Sequence, residues 1–328
     1  MKTPLLAVGL AFASALANAR TPAASAPDEH AWQAWSAAVE QTLRTSEQPR
    51  DWALAAVSMA KPPAADAAAD AADALLQRAL AAAPDDMLAH WLAVQRYLGQ
   101  KQDELDARSA SVLTRREPDN AASWLPAVAL AARGGDAAAL DAALARMAAA
   151  TRYDDHFAAA LRAWMEAFER QPPQHTGRLD AEGAAFMAAL ARASALAVPA
   201  YGPLFAACKG ADGTPLPAQR RGQCNAIGRL LLHAGTTRID RDIGARLLRY
   251  GGDAAPTEAD RAMIRRLAWQ QQQAAPLRID EDPVALRAYA TDWRSCTDEV
   301  EVIERALRRA GLPVEPPADW TPPRRDGA

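Results

Sequence analysis

Aromatic residues are scarce, at 6% of the 328-residue chain, and there are only three cysteines. No segment alternates apolar and polar residues with period two, and no run of Val, Ile, Thr and Tyr reaches strand length. Half-buried strands need that alternation, because their successive side chains point to opposite faces. A β-rich fold is therefore excluded. Charge of one sign is not concentrated either. Lys and Arg number 37 against 40 Asp and Glu, a formal net charge of -3. The doublets Arg115-Arg116, Arg220-Arg221, Arg265-Arg266 and Arg308-Arg309 are scattered and offset by nearby acids. A nucleic-acid partner needs a basic face, so none is expected. No GxSxG, P-loop, GxGxxG, HExxH or EF-hand pattern occurs, and no CxxC or HxxxH spacing supports a zinc site. No residue is nominated as catalytic, cofactor-binding or metal-ligating, and no cofactor is expected.

What the chain has in abundance is alanine, roughly a quarter of all residues against far lower ordinary usage. Alanine is the best helix former and adds little volume. An all-α class follows, with Leu, Trp and the β-branched residues marking the core. Half of the residues are hydrophobic, enough to bury a sizeable one.

Met1-Lys2-Thr3 is a short basic start, and Leu5 to Leu16 is apolar. Ala17-Asn18-Ala19 fits the small-x-small cleavage rule, so a secretory signal peptide cleaved near Ala19 is expected. An uncleaved N-terminal anchor is the rival reading, although the run is short of the about 20 residues that span a bilayer. No later segment is long and apolar enough to be transmembrane. The expected compartment is oxidising, a periplasm or the exterior.

Beyond a leader at 20–28 the sequence repeats itself. Pro84-Asp85 and Pro118-Asp119 lie 34 residues apart, and Trp91, Trp124 and Phe157 follow at intervals of 33. Such a period marks helical hairpins, each too small to cover its own apolar face. Trp91, Val94 and Leu98 share one spacing with Trp124, Ala127 and Ala131, with Phe157, Ala160 and Trp164, and with Trp52, Ala55 and Met59. The pairs Ala72 with Leu76 and Leu140 with Leu144 suit a second helix. Region 50–170 thus resembles the tetratricopeptide repeat family in degenerate form. Ala56, Gln95, Val128 and Leu161 stand where that family has glycine. The resemblance implies an α-solenoid of stacked antiparallel hairpins that binds a protein or peptide along a concave face. An irregular α-bundle with core tryptophans is the alternative fold.

A Pro-containing linker at 171–177 precedes helices expected near 179–197, 201–209, 218–234, 240–250, 257–274 and 283–310. Thr257 and Asp260 resemble a capping box. Leu286, Tyr289, Trp293, Cys296, Val300, Ile303 and Leu307 form one apolar stripe, which predicts a single long closing helix. The expected organisation is an export segment at 1–19, a leader at 20–28, a repeat region at 29–171, a helical domain at 178–311 and a proline-rich tail at 312–328. Trp320 is expected to pin that tail to the body.

Cys208 shares a face with Leu204 and Phe205, and Cys224 shares one with Ile227 and Leu231. A disulfide between Cys208 and Cys224 is expected across the Gly/Pro loop, with zinc ligation as the alternative. Cys296 is expected to be a buried free thiol. Asp154-Asp155-His156 is the densest polar cluster. It suits a helix N-terminus, or an acid/base group. His90 and His156 each precede a repeat aromatic, a helix-start position. The expected role is an exported helical-repeat scaffold or a protein- or peptide-binding module. The alternatives are an enzyme with an unrecognised site in the C-terminal helices, or a subunit that oligomerises through helix 283–310.

Overall fold

The computed structural model describes residues 29–59, 67–97, 103–173, 179–196, 201–209, 216–250 and 256–322. The export segment, the leader, Pro62-Pro63, Leu98, Gly177 and Gly251-Gly252 lie outside the described residues. Among the described residues the chain is all-α, with no strand and one isolated bridge between Asn120 and Arg152.

The helices are α1 (Glu29–Thr45), α2 (Pro49–Ser58), α3 (Ala67–Ala82), α4 (Met87–Tyr97), α5 (Asp103–Arg116), α6 (Leu125–Gly134), α7 (Ala137–Ala149) and α8 (Phe157–Glu169). They continue as α9 (Ala181–Leu196), α10 (Tyr201–Lys209), α11 (Ala218–Ala234), α12 (Arg238–Tyr250), α13 (Glu258–Ala274), α14 (Pro283–Ser295) and α15 (Glu299–Arg309). Local chemistry sets many of their ends. Asp136, Asp282 and Asp298 each accept a bond from a first-turn N–H, which supplies one of the orphan donors of a helix N-terminus. Thr257 and Asp260 form the expected capping box. Gly135 ends α6 at φ 67°, a conformation that glycine adopts without steric cost.

Sequential helices pack as α2 on α3, α4 on α5, α6 on α7, α8 on α9 and α11 on α12. One core joins α1–α4 to α8, α9 and α14, around Trp35, Trp164, Phe168, Phe186 and Trp293. A second joins Trp91, Leu113, Val128, Leu144 and Tyr153 to Leu204, Ile227, Leu231 and Leu247. Both therefore draw side chains from before and after the linker at 171–177. Trp35 lies against Phe168, and its indole N–H donates to the Gln171 carbonyl at 2.6 Å. Of the repeat-spaced residues, Trp52, Ala55, Trp91, Val94, Ala131, Phe157, Ala160 and Trp164 are buried, whereas Met59, Trp124 and Ala127 are half-buried.

Helix 283–310 is not continuous. The chain leaves α14 at Cys296, at φ -112° and ψ 152°, and starts again at Glu299. Asp298 accepts the Val300 N–H at 2.8 Å and pairs with Arg241, and Glu299 accepts the Arg238 N–H. These partners on α12 outcompete helix continuation. The stripe survives as two short helices turned onto this chain's own cores, and Leu286, Trp293, Cys296, Val300, Ile303 and Leu307 are all buried.

Candidate functional site

The densest buried polar constellation forms where the loop 150–156 and the starts of α8, α12 and α15 meet. Asp155 accepts the Phe157 N–H at 3.0 Å, which caps α8, and the Thr236 hydroxyl at 3.2 Å. Asp240 and Thr237 cap α12 reciprocally: Asp240 Oδ2 accepts the Thr237 N–H, and Thr237 Oγ1 accepts the Asp240 N–H. The Tyr201 hydroxyl on α10 donates to Asp240 Oδ1. That leaves the Tyr153 hydroxyl to donate to Tyr201, in a buried chain from Tyr153 to Tyr201 to Asp240. The Glu299 N–H donates to the Thr236 carbonyl at 2.8 Å.

Burial governs the electrostatics. It pushes the Asp155 carboxyl well above the ordinary range, with the Asp240 charge adding to the effect. Asp240 is raised by burial against its own hydrogen bonds. Burial and the Asp240 charge push both tyrosine hydroxyls upward. Three helix N-termini face this cluster, and their partial positive charge offsets part of the cost of burying carboxyl groups. Chemically the arrangement is a hydrogen-bond relay with protonatable ends. Its four central side chains are 0–4% exposed, so its partners are the chain's own helices.

A second polar knot adjoins it. His156 sits at φ 59°, uncommon for a residue with a side chain, and its Nε2 lies 3.2 Å from Glu117 Oε2. The Trp91 ring is 5.7 Å from the imidazole. Bonds from Asn120 and Ser123, together with His156, hold Glu117 down at about 2. Asn120 also spans to loop 150–156. It donates to the Asp154 carbonyl and accepts the Asp154 N–H, both at 2.9 Å.

The structure places the sequence-predicted residues as follows. Cys208 on α10 and Cys224 on α11 are joined in a disulfide with their Cα atoms 5.7 Å apart, in the same core as Tyr153 and Tyr201. Cys296 is a buried free thiol, and burial raises its pKa. Asp154-Asp155-His156 does lead into α8, but Asp155 also faces Asp240 across the fold. His156 directly precedes α8, whereas His90 is the fourth residue of α4 and bonds to Ser109 and the Pro84 carbonyl. His233, in the last turn of α11, meets Asp260 at 2.8 Å, and that bond with the capping contacts holds Asp260 at about 2. Tyr153, Tyr201, Asp240 and Glu117 carry no motif. The one readable signal among them is Thr237-x-x-Asp240, a capping pattern like that of Thr257 and Asp260.

Among the described residues no group of His, Cys, Asp and Glu is arranged to hold a metal ion, and no single helix is long and apolar enough to cross a membrane. No family model, curated protein or solved structure matches this chain.

Proposed function

We propose that this protein is an exported helical-repeat scaffold that binds a protein or peptide partner. The observation that carries the reading is one local contact that recurs along the repeat region. Three times, in α2, in α4 and in the 3-10 turn Ala121–Trp124 that leads into α6, a ring nitrogen reaches back six residues to a carbonyl of the preceding loop. Trp52 Nε1 donates to Ser46 O at 2.5 Å, and Trp124 Nε1 donates to Pro118 O at 3.1 Å. His90 Nε2 lies 3.0 Å from Pro84 O. His90 and Trp124 are 34 residues apart, as are Pro84 and Pro118. Trp52 and His90 are 38 residues apart, so the contact recurs at intervals of 38 and 34. A local contact that fixes how a helix leaves its loop, recurring near the repeat length, supports a degenerate repeat array. The phase differs by one from the tryptophan spacing, because His90 and not Trp91 takes this place in α4.

Export is supported by the character of residues 1–19 and by the Cys208–Cys224 disulfide, which suits an oxidising compartment. The test is affinity capture from the native cell envelope under mild crosslinking. The expected result is one saturable partner that rebinds as a purified protein, with the captured chain beginning at Arg20. A clean blank would sink the partner, and an intact N-terminus at Met1 would sink cleavage.

A further inference from the structure

From the way the C-terminal segment lies on α13, we infer that α13 carries a recognition site for an extended, acidic, proline-containing peptide, which residues 312–322 occupy in cis. Helix α15 ends at Arg309, and Gly311, at φ 69°, turns the chain back. The segment that follows contains four prolines, two acids and one tryptophan, and it crosses α13 without forming a helix. Leu312, Val314, Pro316 and Trp320 are half-buried, while Pro313, Glu315 and Pro317 are exposed.

The contacts read mostly backbone. Trp269 Nε1 donates to the Pro313 carbonyl at 2.9 Å. Arg265 donates to the carbonyls of Pro317 and Trp320, the latter at 2.7 Å. Arg266 pairs with Glu315 at 3.0 Å, while its other end is held by Glu304 of α15 at 2.7 Å. The Trp320 ring meets Trp269 edge-on at 5.2 Å. A proline-rich strand has carbonyls but few N–H groups. An indole N–H and a guanidinium, which only donate, are therefore its natural complement. A stiff segment of this kind also loses little entropy on docking. One cation of α13 selects an acid and one aromatic selects an aromatic, so the site takes an acidic peptide with a tryptophan about five residues after that acid.

Because the bonds go to carbonyls, another chain with the same pattern can replace the tail. The tail then acts as a tethered competitor at an effective concentration in the mM range. This inference deepens the partner-binding reading and rests on it for the existence of a partner. The peptide measurement below tests the site itself, whatever envelope capture returns.

The test uses the full chain and a labelled synthetic peptide of residues 312–322, read by fluorescence anisotropy. Trp320→Ala, a substitution at a half-buried position, should free the site. That variant is expected to bind the peptide roughly tenfold more tightly than the wild type does. Adding Arg265→Ala to it should abolish binding, and so should replacing the peptide's own tryptophan with alanine. In parallel, excess peptide added to the wild type should raise hydrogen exchange across 312–322, which needs no variant. Equal binding by wild type and a natively helical Trp320→Ala chain, with no change in exchange, overturns the proposal. A wild-type dimer that the peptide splits would assign the site to the tail of a second copy, and overturns the partner.

Discussion

Asp240 shows what one buried carboxyl does here. Its side chain caps α12, receives the Tyr201 hydroxyl and faces Asp155 across the start of α8. Burial raises both above the ordinary 3.8, and the Asp240 charge adds to the rise at Asp155. A carboxyl whose folded pKa is raised favours the fold in its protonated form. Its contribution is complete below 3.8 and is lost as pH rises through the raised value. Asp240→Asn keeps a capping oxygen and removes the charge. Its melting temperature should therefore fall less than that of the wild type between about pH 4 and about pH 8. Calorimetry across that range decides the matter, and parallel curves would mean that Asp240 does not titrate with folding. The sequence marked only the capping half of this role, through the T-x-x-D pattern. The Asp240–Tyr201 and Tyr201–Tyr153 links span 39 and 48 residues of chain, beyond any local signal.

At the scale of elements, the alanine and glycine content has a specific use. Helices α11 and α12 cross where Gly228 meets Gly244. A Cβ on Gly244 would stand 2.4 Å from the Leu232 nitrogen and 2.6 Å from the Gly228 oxygen. Those neighbours are backbone and cannot rotate away. Gly244→Ala should thus cost about 2–3 kcal/mol as the helices are forced apart. Gly222, also in α11, has no atom within 4 Å of the added Cβ, so Gly222→Ala should add about 0.5–1 kcal/mol through helix propensity. Urea unfolding of the two variants checks both signs. Helix boundaries after the linker were largely legible, because capping and glycine signals act within a turn. The expected 201–209 and 218–234 match α10 and α11. The break between α14 and α15 was not legible. A three-four apolar stripe is the same for one helix as for two that turn onto the same interior, and the partners that stop the first lie on α12.

At the scale of the whole molecule, two main cores and one disulfide hold the chain together. Cys208 and Cys224 close a loop with a separation of 16, worth about 3 kcal/mol in the chain-entropy account. The double variant Cys208→Ser, Cys224→Ser should lose about that much in urea. Unfolded without reductant, the oxidised protein should titrate one thiol per chain, that of Cys296. Three thiols would remove the disulfide and with it one support for export. The all-α class, the capping box at Thr257 and the pairing of Cys208 with Cys224 were determined by the sequence itself. Helix propensity, capping and the closure of a short loop are set by neighbours within a few turns of chain. Which helices share a core, where the last helix breaks and which carboxyls meet at Asp155 and Asp240 were decided only by the tertiary structure. Those outcomes depend on competition between distant burial and local hydrogen bonding, and no segment carries both sides of it.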